Sequence, residues 1–328
     1  MASDSTEKIK RILLYGGSVT KPELAKATGL TAATCGYILN ELFQKGEIVE
    51  EEFRLSSGGR PAKSYRYNAK KHPFLCLYTL FESGIRKIRF RIVDAQGNTL
   101  GKGEYKEKNI DVQTLSKRIR KLMERHPDIC VVAIGIQGGV SRGTVEFCDL
   151  PELDGVNLEK ELQDTLKIPI CIENDMNSIA LGFSQRNSEK KNVAILFTPK
   201  GNPPAAGFLA DGGILRGNSN LAGELSYFPF PFEKWKQIEV FQKLDTAFPH
   251  ILKILLATVV FLDPATIVFT GGFAKELSLR NLEEKMRRHF QRPELPKLIF
   301  NENPQEEYFS GLAKLATETF LKKEKDIP

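Results

Sequence analysis

Pro169-Ile170-Cys171-Ile172-Glu173-Asn174-Asp175-Met176-Asn177 reads as a short apolar strand that runs directly into polar residues and then a helix. The neighbours extend the pattern. Asn157 can cap a helix over Leu158–Leu166, and Val131–Ile136 is an apolar strand ending in Gln137-Gly138-Gly139. Upstream, Phe74–Thr79, Lys87–Asp94 and Thr99–Tyr105 predict strands, with a turn at Ala95-Gln96-Gly97-Asn98. An amphipathic helix follows over Val112–Arg125. Downstream, strands are expected at Val193–Phe197, Gly207–Ala210 and Ile267–Thr270, the last followed by Gly271-Gly272. Helices are expected over Val240–Phe261 and near Phe309–Lys322. An antiparallel opening followed by strand–helix alternation predicts an α/β fold with a mixed sheet.

The chain has 328 residues, 41% hydrophobic and 27% charged, a globular mix that suggests two or three domains. No uninterrupted apolar run approaches the ~20 residues that span a bilayer, and the start MASDSTEKIK is unlike a secretory signal. Cys35, Cys76, Cys130, Cys148 and Cys171 form no CxxC pair, and the 4 histidines are scattered. The expectation is a cytoplasmic protein with reduced thiols and no metal, cofactor or membrane partner. Net charge is +6, and it is uneven: residues 1–72 hold 12 Lys/Arg against 8 Asp/Glu. That excess points to an anionic partner for the N-terminal part.

The first 67 residues predict a winged helix-turn-helix. Ile9, Ile12 and Leu13 lie on one face of a first helix. Thr20 and Glu23 form a capping-box pattern around Pro22 for a second helix that stops near Gly29. Thr31 caps a third, with Ile38, Leu39 and Leu42 inward and Gly46 at its end. A hairpin follows, from Glu47–Leu55 through Ser56-Ser57-Gly58-Gly59 to Ser64–Tyr67. Such a third helix enters a major groove of double-stranded DNA with Thr31, Ala32, Thr34, Tyr37 and Asn40 toward base edges. Lys21, Lys26 and Lys45 suit phosphates, and Arg60 and Lys63 sit at or beside the wing tip. A module that only contacts protein is the alternative. Tyr37 can also belong to the core, and Asn40 can be an ordinary surface residue. Residues 68–73 (NAKKHP) read as a linker, and 74–328 as the large domain.

The ordered motifs resemble a family. They are Ser57-Gly58-Gly59-Arg60-Pro61, Ile134-Gly135-Ile136-Gln137-Gly138-Gly139, the Glu173-Asn174-Asp175 stretch, Leu215-Arg216-Gly217 with Ala222-Gly223-Glu224, and Asp263-Pro264-Ala265-Thr266-Ile267-Val268 with Gly271-Gly272. Together they resemble the ROK family (repressors, open reading frames and kinases) over nearly the whole chain. The resemblance implies a two-lobed, actin-like (ribonuclease H-like) sugar-kinase fold behind a DNA-binding domain, in a homodimer or homotetramer. It places Asp175 where the family's kinases keep a general base, Asn174 and Glu224 at sugar-hydroxyl contacts, and Gly138 near the sugar. Read without the family, Asp175 can be a helix cap alone and Glu224 a surface carboxylate.

Phosphoryl transfer needs a cradle of backbone N–H groups, and the family's two phosphate loops are altered here. Leu77–Gly84 replaces an Asp-x-Gly-Gly-Thr loop, and Gly201-Asn202-Pro203-Pro204-Ala205 replaces a Gly-Thr-Gly-Ile-Gly loop. Proline carries no N–H. The family's zinc cluster is missing as well, with Tyr227 in place of its histidine. Tyr227 joins Gly138, Asn174, Asp175 and Glu224 as an expected ligand residue. The expected function is a transcriptional regulator of carbohydrate metabolism, expected to be a repressor, with a sugar or sugar derivative bound between the lobes and kinase activity lost. The alternatives are an ATP-dependent sugar kinase that also binds DNA, and a large domain that serves only for dimerisation.

Overall fold

The computed structural model describes residues 2–54, 62–82, 84–187 and 191–323. At the N-terminus, α1 (Ala2–Gly16) is followed by β1 (Val19–Thr20), α2 (Lys21–Thr28), α3 (Ala32–Gln44), β2 (Ile48–Arg54) and β3 (Ala62–Tyr67). The strands form one antiparallel sheet in the order β1-β3-β2. Thr20 and Glu23 close the capping box that starts α2, and Gly29, with φ 72°, ends it. Thr31 accepts from the Thr34 amide at 3.1 Å and starts α3. Ile9, Leu13, Leu24, Ile38, Leu39 and Leu42 are buried together. The run Glu50-Glu51 faces its own counter-charges across the hairpin, Lys63 at 2.8 Å and Arg66 at 2.5 Å.

Residues 68–73 lie against the body. Ala69 is buried within a 3-10 turn and its carbonyl accepts from the Ala95 amide at 3.0 Å. The Asn68 side chain donates to the Gly46 carbonyl at 3.0 Å.

The large region holds two sheets built on one plan. The first comprises β4 (Phe74–Glu82), β5 (Ile85–Val93), β6 (Thr99–Glu107), β7 (Val131–Ile136) and β10 (Ile170–Asn174), in the order β10-β7-β4-β5-β6. Helix α4 (Val112–Arg125) precedes β7, the small hairpin β8 (Gly138–Ser141) and β9 (Thr144–Cys148) follows it, and α5 (Leu158–Leu166) precedes β10. Helix α6 (Asp175–Arg186) leaves the first sheet for the second. There, β11 (Val193–Phe197), β12 (Ala205–Ala210) and β13 (Gly213–Ile214) are antiparallel. Next come α7 (Gln237–Val240), α8 (Leu244–Leu262), β14 (Thr266–Thr270), α9 (Leu279–Phe290), β15 (Lys297–Phe300) and α10 (Gln305–Lys323). The order β13-β12-β11-β14-β15 repeats the first sheet's three antiparallel strands followed by two parallel ones. Strands β7 and β14 are buried at every residue, which explains their unbroken apolar sequences. This is the α/β fold with mixed sheets that the sequence predicts, in the two-lobed arrangement that the resemblance implies.

Helices α6 and α10 pack against each other between the sheets. They approach closely at two glycines: a Cβ at Gly182 would overlap the Glu307 carbonyl, and one at Gly311 the Ser178 carbonyl. Helix α8 qualifies one expectation. No uninterrupted apolar run is long enough to span a membrane, but this 19-residue helix has a mean hydropathy of 1.6 and passes by length and composition. Ala247, Ile251 and Leu255 bury its inner face with Ile267 and Phe269 of β14. Val260 and Phe261, 62% and 87% exposed, lie at its far end.

Candidate functional site

The cleft forms where β7 and β10 end side by side, outside the carboxyl ends of parallel strands. Gly138 begins the next strand with φ 153°, and a Cβ there would overlap the Phe147 carbonyl, so the chain can pass only with glycine. Asn174 is held from both ends of its amide. Its Nδ2 donates to the Gly138 carbonyl at 2.6 Å, and its Oδ1 accepts from the Asn177 amide at 3.1 Å. Asn174 is therefore the cap of α6, and the capping role that the sequence left open for Asp175 belongs to its neighbour.

Asp175 is free of that duty. It is buried and accepts the Met176 amide at 2.8 Å. Burial pushes its carboxyl up to about 7, the Met176 amide opposes this, and the Glu224 charge adds to it. Burial also raises Glu224, and Glu146 adds to that rise. Three of the predicted ligand residues, Gly138, Asn174 and Asp175, thus meet at one point, with Glu224 near enough for its charge to act there. Tyr227 stands apart: it is 58% exposed, and the Lys234 ammonium lies over its ring at 3.9 Å.

Because the folded state favours the neutral Asp175 carboxyl, its contribution to stability is complete below the usual carboxylate range and is lost as pH rises through about 7. Asp175→Asn is expected to flatten that fall between pH ~4 and ~7, read from denaturation midpoints across the range.

Sequence reasoning missed the support beneath this point. Glu173 accepts from the Asn174 amide and the Asn177 side chain, each at 3.0 Å, and pairs with Arg216. Arg216 lies inside a quoted motif, but no local spacing ties it to residue 173.

The two stretches that the resemblance sets at phosphate loops can be followed in the backbone. Strand β4 continues to Glu82 and β5 starts at Ile85, so Leu77–Glu82 is strand. Phe81 is 43% exposed, with the Arg86 guanidinium over its ring at 5.3 Å. In the second loop the Gly201 amide donates to the Phe241 carbonyl at 2.8 Å.

A second surface lies at the other end of the chain. Thr31, Tyr37 and Asn40 are exposed on α3, and Thr34 is half-buried. The hydroxyls of Thr31 and Thr34 bond each other at 2.8 Å. The Lys21 side chain from α2 crosses α3 at Gly36, where a Cβ would press on its ammonium. Lys63 is exposed beside Glu50, and Arg60 lies outside the described residues.

Residues 79–236 match the ROK family. The xylose repressor of Caldicellulosiruptor bescii is 22% identical over 236 residues, covering 69% of this chain and 58% of that protein. The N-acetyl-D-glucosamine kinase of Yersinia enterocolitica is 24% identical over 163 residues, 48% of this chain and 54% of that one. The chain thus spans less than two thirds of the curated relatives it matches. A solved ROK family transcriptional regulator, a homologue of the E. coli MLC protein, shares the fold over 98% of both chains, with a TM-score of 0.76 and 15% identity. With the paired lobes and the Asn174–Gly138 cleft already described, residues 79–236 carry a ROK family domain.

Proposed function

We propose that the protein is a DNA-binding transcriptional regulator of carbohydrate metabolism, a repressor, controlled by a sugar or sugar derivative held between the lobes. The observation that carries this reading is α3, which offers Thr31, Tyr37 and Asn40 to solvent with Lys21 laid alongside, as expected if residues 1–67 are a winged helix-turn-helix. Asparagine pairs with adenine through both edges of its amide, whereas lysine contributes phosphate affinity without sequence information. The cleft residues Gly138, Asn174, Asp175 and Glu224 offer amide, carbonyl and carboxyl groups suited to sugar hydroxyls. The names of the similar proteins, repressor and sugar kinase alike, agree with a carbohydrate ligand. Paired modules on a twofold dimer would reach half-sites ~34 Å apart or a multiple of it. The outer face of α8, with Val260 and Phe261, supports a homodimer, or a homotetramer built from it. The protein works in the cytoplasm in this reading.

The test is binding of the purified protein to duplex DNA from upstream of its own gene cluster against random duplex, at several salt concentrations. Preference for the former, falling steeply with salt, is expected. Lys21→Glu should weaken both duplexes alike, and Asn40→Ala should cost about 1–3 kcal/mol on the preferred one only. Equal binding to both duplexes by the wild type overturns the reading.

A second reading, an ATP-dependent sugar kinase, rests on Asp175. A buried carboxyl held near 7 is tuned for a general base. ATP-dependent sugar phosphorylation abolished by Asp175→Asn would establish it. Pro203 and Pro204, which carry no N–H where a phosphate cradle would need donors, favour the regulator.

A further inference from the structure

Beyond Asp175 the cleft opens into a cavity of about 300 Å³. Its walls come from both lobes, with Tyr78 and Gln137 on the first, Thr270 and Gly271 on the second, and Tyr308 from α10. Asp175 lines it as well, and is only 8% exposed. One of its carboxyl oxygens accepts the Met176 amide at 2.8 Å, and the other takes no hydrogen bond from another of the described residues. A buried carboxyl satisfied on one side only favours a ligand that brings a donor to the other.

A further carboxyl that the sequence did not single out reaches the same point. In the β8–β9 hairpin Gly138 pairs with Cys148, so Asp149 follows directly on the residue opposite Gly138. The Gly138 carbonyl in turn holds Asn174, the residue before Asp175. The Asp149 side chain has no hydrogen bond or ion pair with the described residues. Its charge and that of Glu224 both push the Asp175 carboxyl upward. Desolvation raises Asp149 itself.

The cations near the cleft are already engaged. Arg89 on the cavity wall donates to Glu104 at 2.6 Å. Arg216 pairs with Glu173, and Lys275 with Glu302 at 2.7 Å. Lys234 lies over the Tyr227 ring, and its charge acts on Glu224. Asp149 and Asp175 are thus left facing one cleft with no cation between them. A phosphate or a sugar acid would be repelled there. A neutral sugar would supply donors but leave the charge unbalanced. An ammonium does both, because it favours the ionised carboxyls that burial and mutual repulsion disfavour. A hydrogen bond between two charged groups is roughly twice as strong as a neutral one.

We propose that the effector is an amino sugar whose ammonium is held between Asp175 and Asp149, with Asp149 as the specificity-determining contact for the charged group. This rests on the reading of the cleft as an effector site and narrows the class of ligand within it.

The test is calorimetric titration of wild type and Asp149→Asn at pH ~7, where a sugar amine is largely protonated. The ligands are D-glucosamine, D-galactosamine and D-mannosamine, each beside its parent hexose, D-glucose, D-galactose or D-mannose. Asparagine keeps the shape of the side chain and removes its charge. At least one amino sugar is expected to bind wild type about 10-fold more tightly than its parent, an advantage that shrinks as salt is added. Asp149→Asn should cut the ratio of the two affinities about 3–10-fold. A general loosening of the cleft would lower both affinities and leave their ratio alone. Parent hexoses that bind as tightly as the amino sugars, or a ratio unchanged in the variant, overturn the proposal. A wild type that binds none of the six sugars defeats the effector-site reading itself, and the proposal with it.

Discussion

Glu47→Ala is expected to destabilise the protein by about 3–5 kcal/mol, read from the shift of a urea unfolding midpoint. Glu47 opens the hairpin after α3, and its carboxylate meets the Lys10 ammonium of α1 at 2.5 Å. The two side chains are 4% and 9% exposed, so the pair is held almost entirely away from water. Removing the carboxylate takes away the counter-charge that lies 2.5 Å from a buried ammonium, and the loss of that buried pair sets the size of the effect. The Phe320 ring, 5.9 Å from the ammonium, compensates only partly. The double change Lys10→Met with Glu47→Leu removes both charges and should recover most of the loss. A loss below ~1 kcal/mol for Glu47→Ala would mean that water reaches Lys10.

Gly311→Ala should destabilise by about 2–3 kcal/mol, with the opposite sign to the usual helix effect. In an exposed helix, replacing glycine by alanine gains ~1 kcal/mol. Here the added methyl meets the Ser178 carbonyl of α6, a backbone atom that cannot swing aside. The helices must separate, and overpacking of that kind outweighs the propensity gain. A melting temperature raised by Gly311→Ala would show that the two helices do not touch there.

Local signals in the sequence are decisive where capping and periodicity suffice. Helices α4 and α5 occupy the residues that their periodicity and caps indicate, Val112–Arg125 and Leu158–Leu166, and Asn157 accepts from the Lys160 amide at 3.0 Å. The Thr20 box and the Thr31 cap are likewise as expected, because each is decided within four residues. What escaped depends on partners far along the chain. Gly182 and Gly311 look like helix weaknesses until the two helices meet. Tyr308 lies 133 positions after Asp175, and no spacing rule joins them. Asn174 and Asp175 are both good caps by type, and only the backbone decides that Asn174 takes the Asn177 amide. The polarity of residues 68–73 suggested a linker and could not reveal the buried Ala69.

Ile9 and Leu13 of α1 share one apolar cluster with Leu312, Ala316 and Phe320 of α10. The Glu318 carboxyl at that seam, which burial alone would raise, is held down to about 2 by Arg11 and Lys314. Grafting this N-terminal module onto another protein of this fold would therefore require transplanting the matching face of the last helix with it. A chimera joined only at residues 68–73 would expose an oily seam on both halves and be prone to clump.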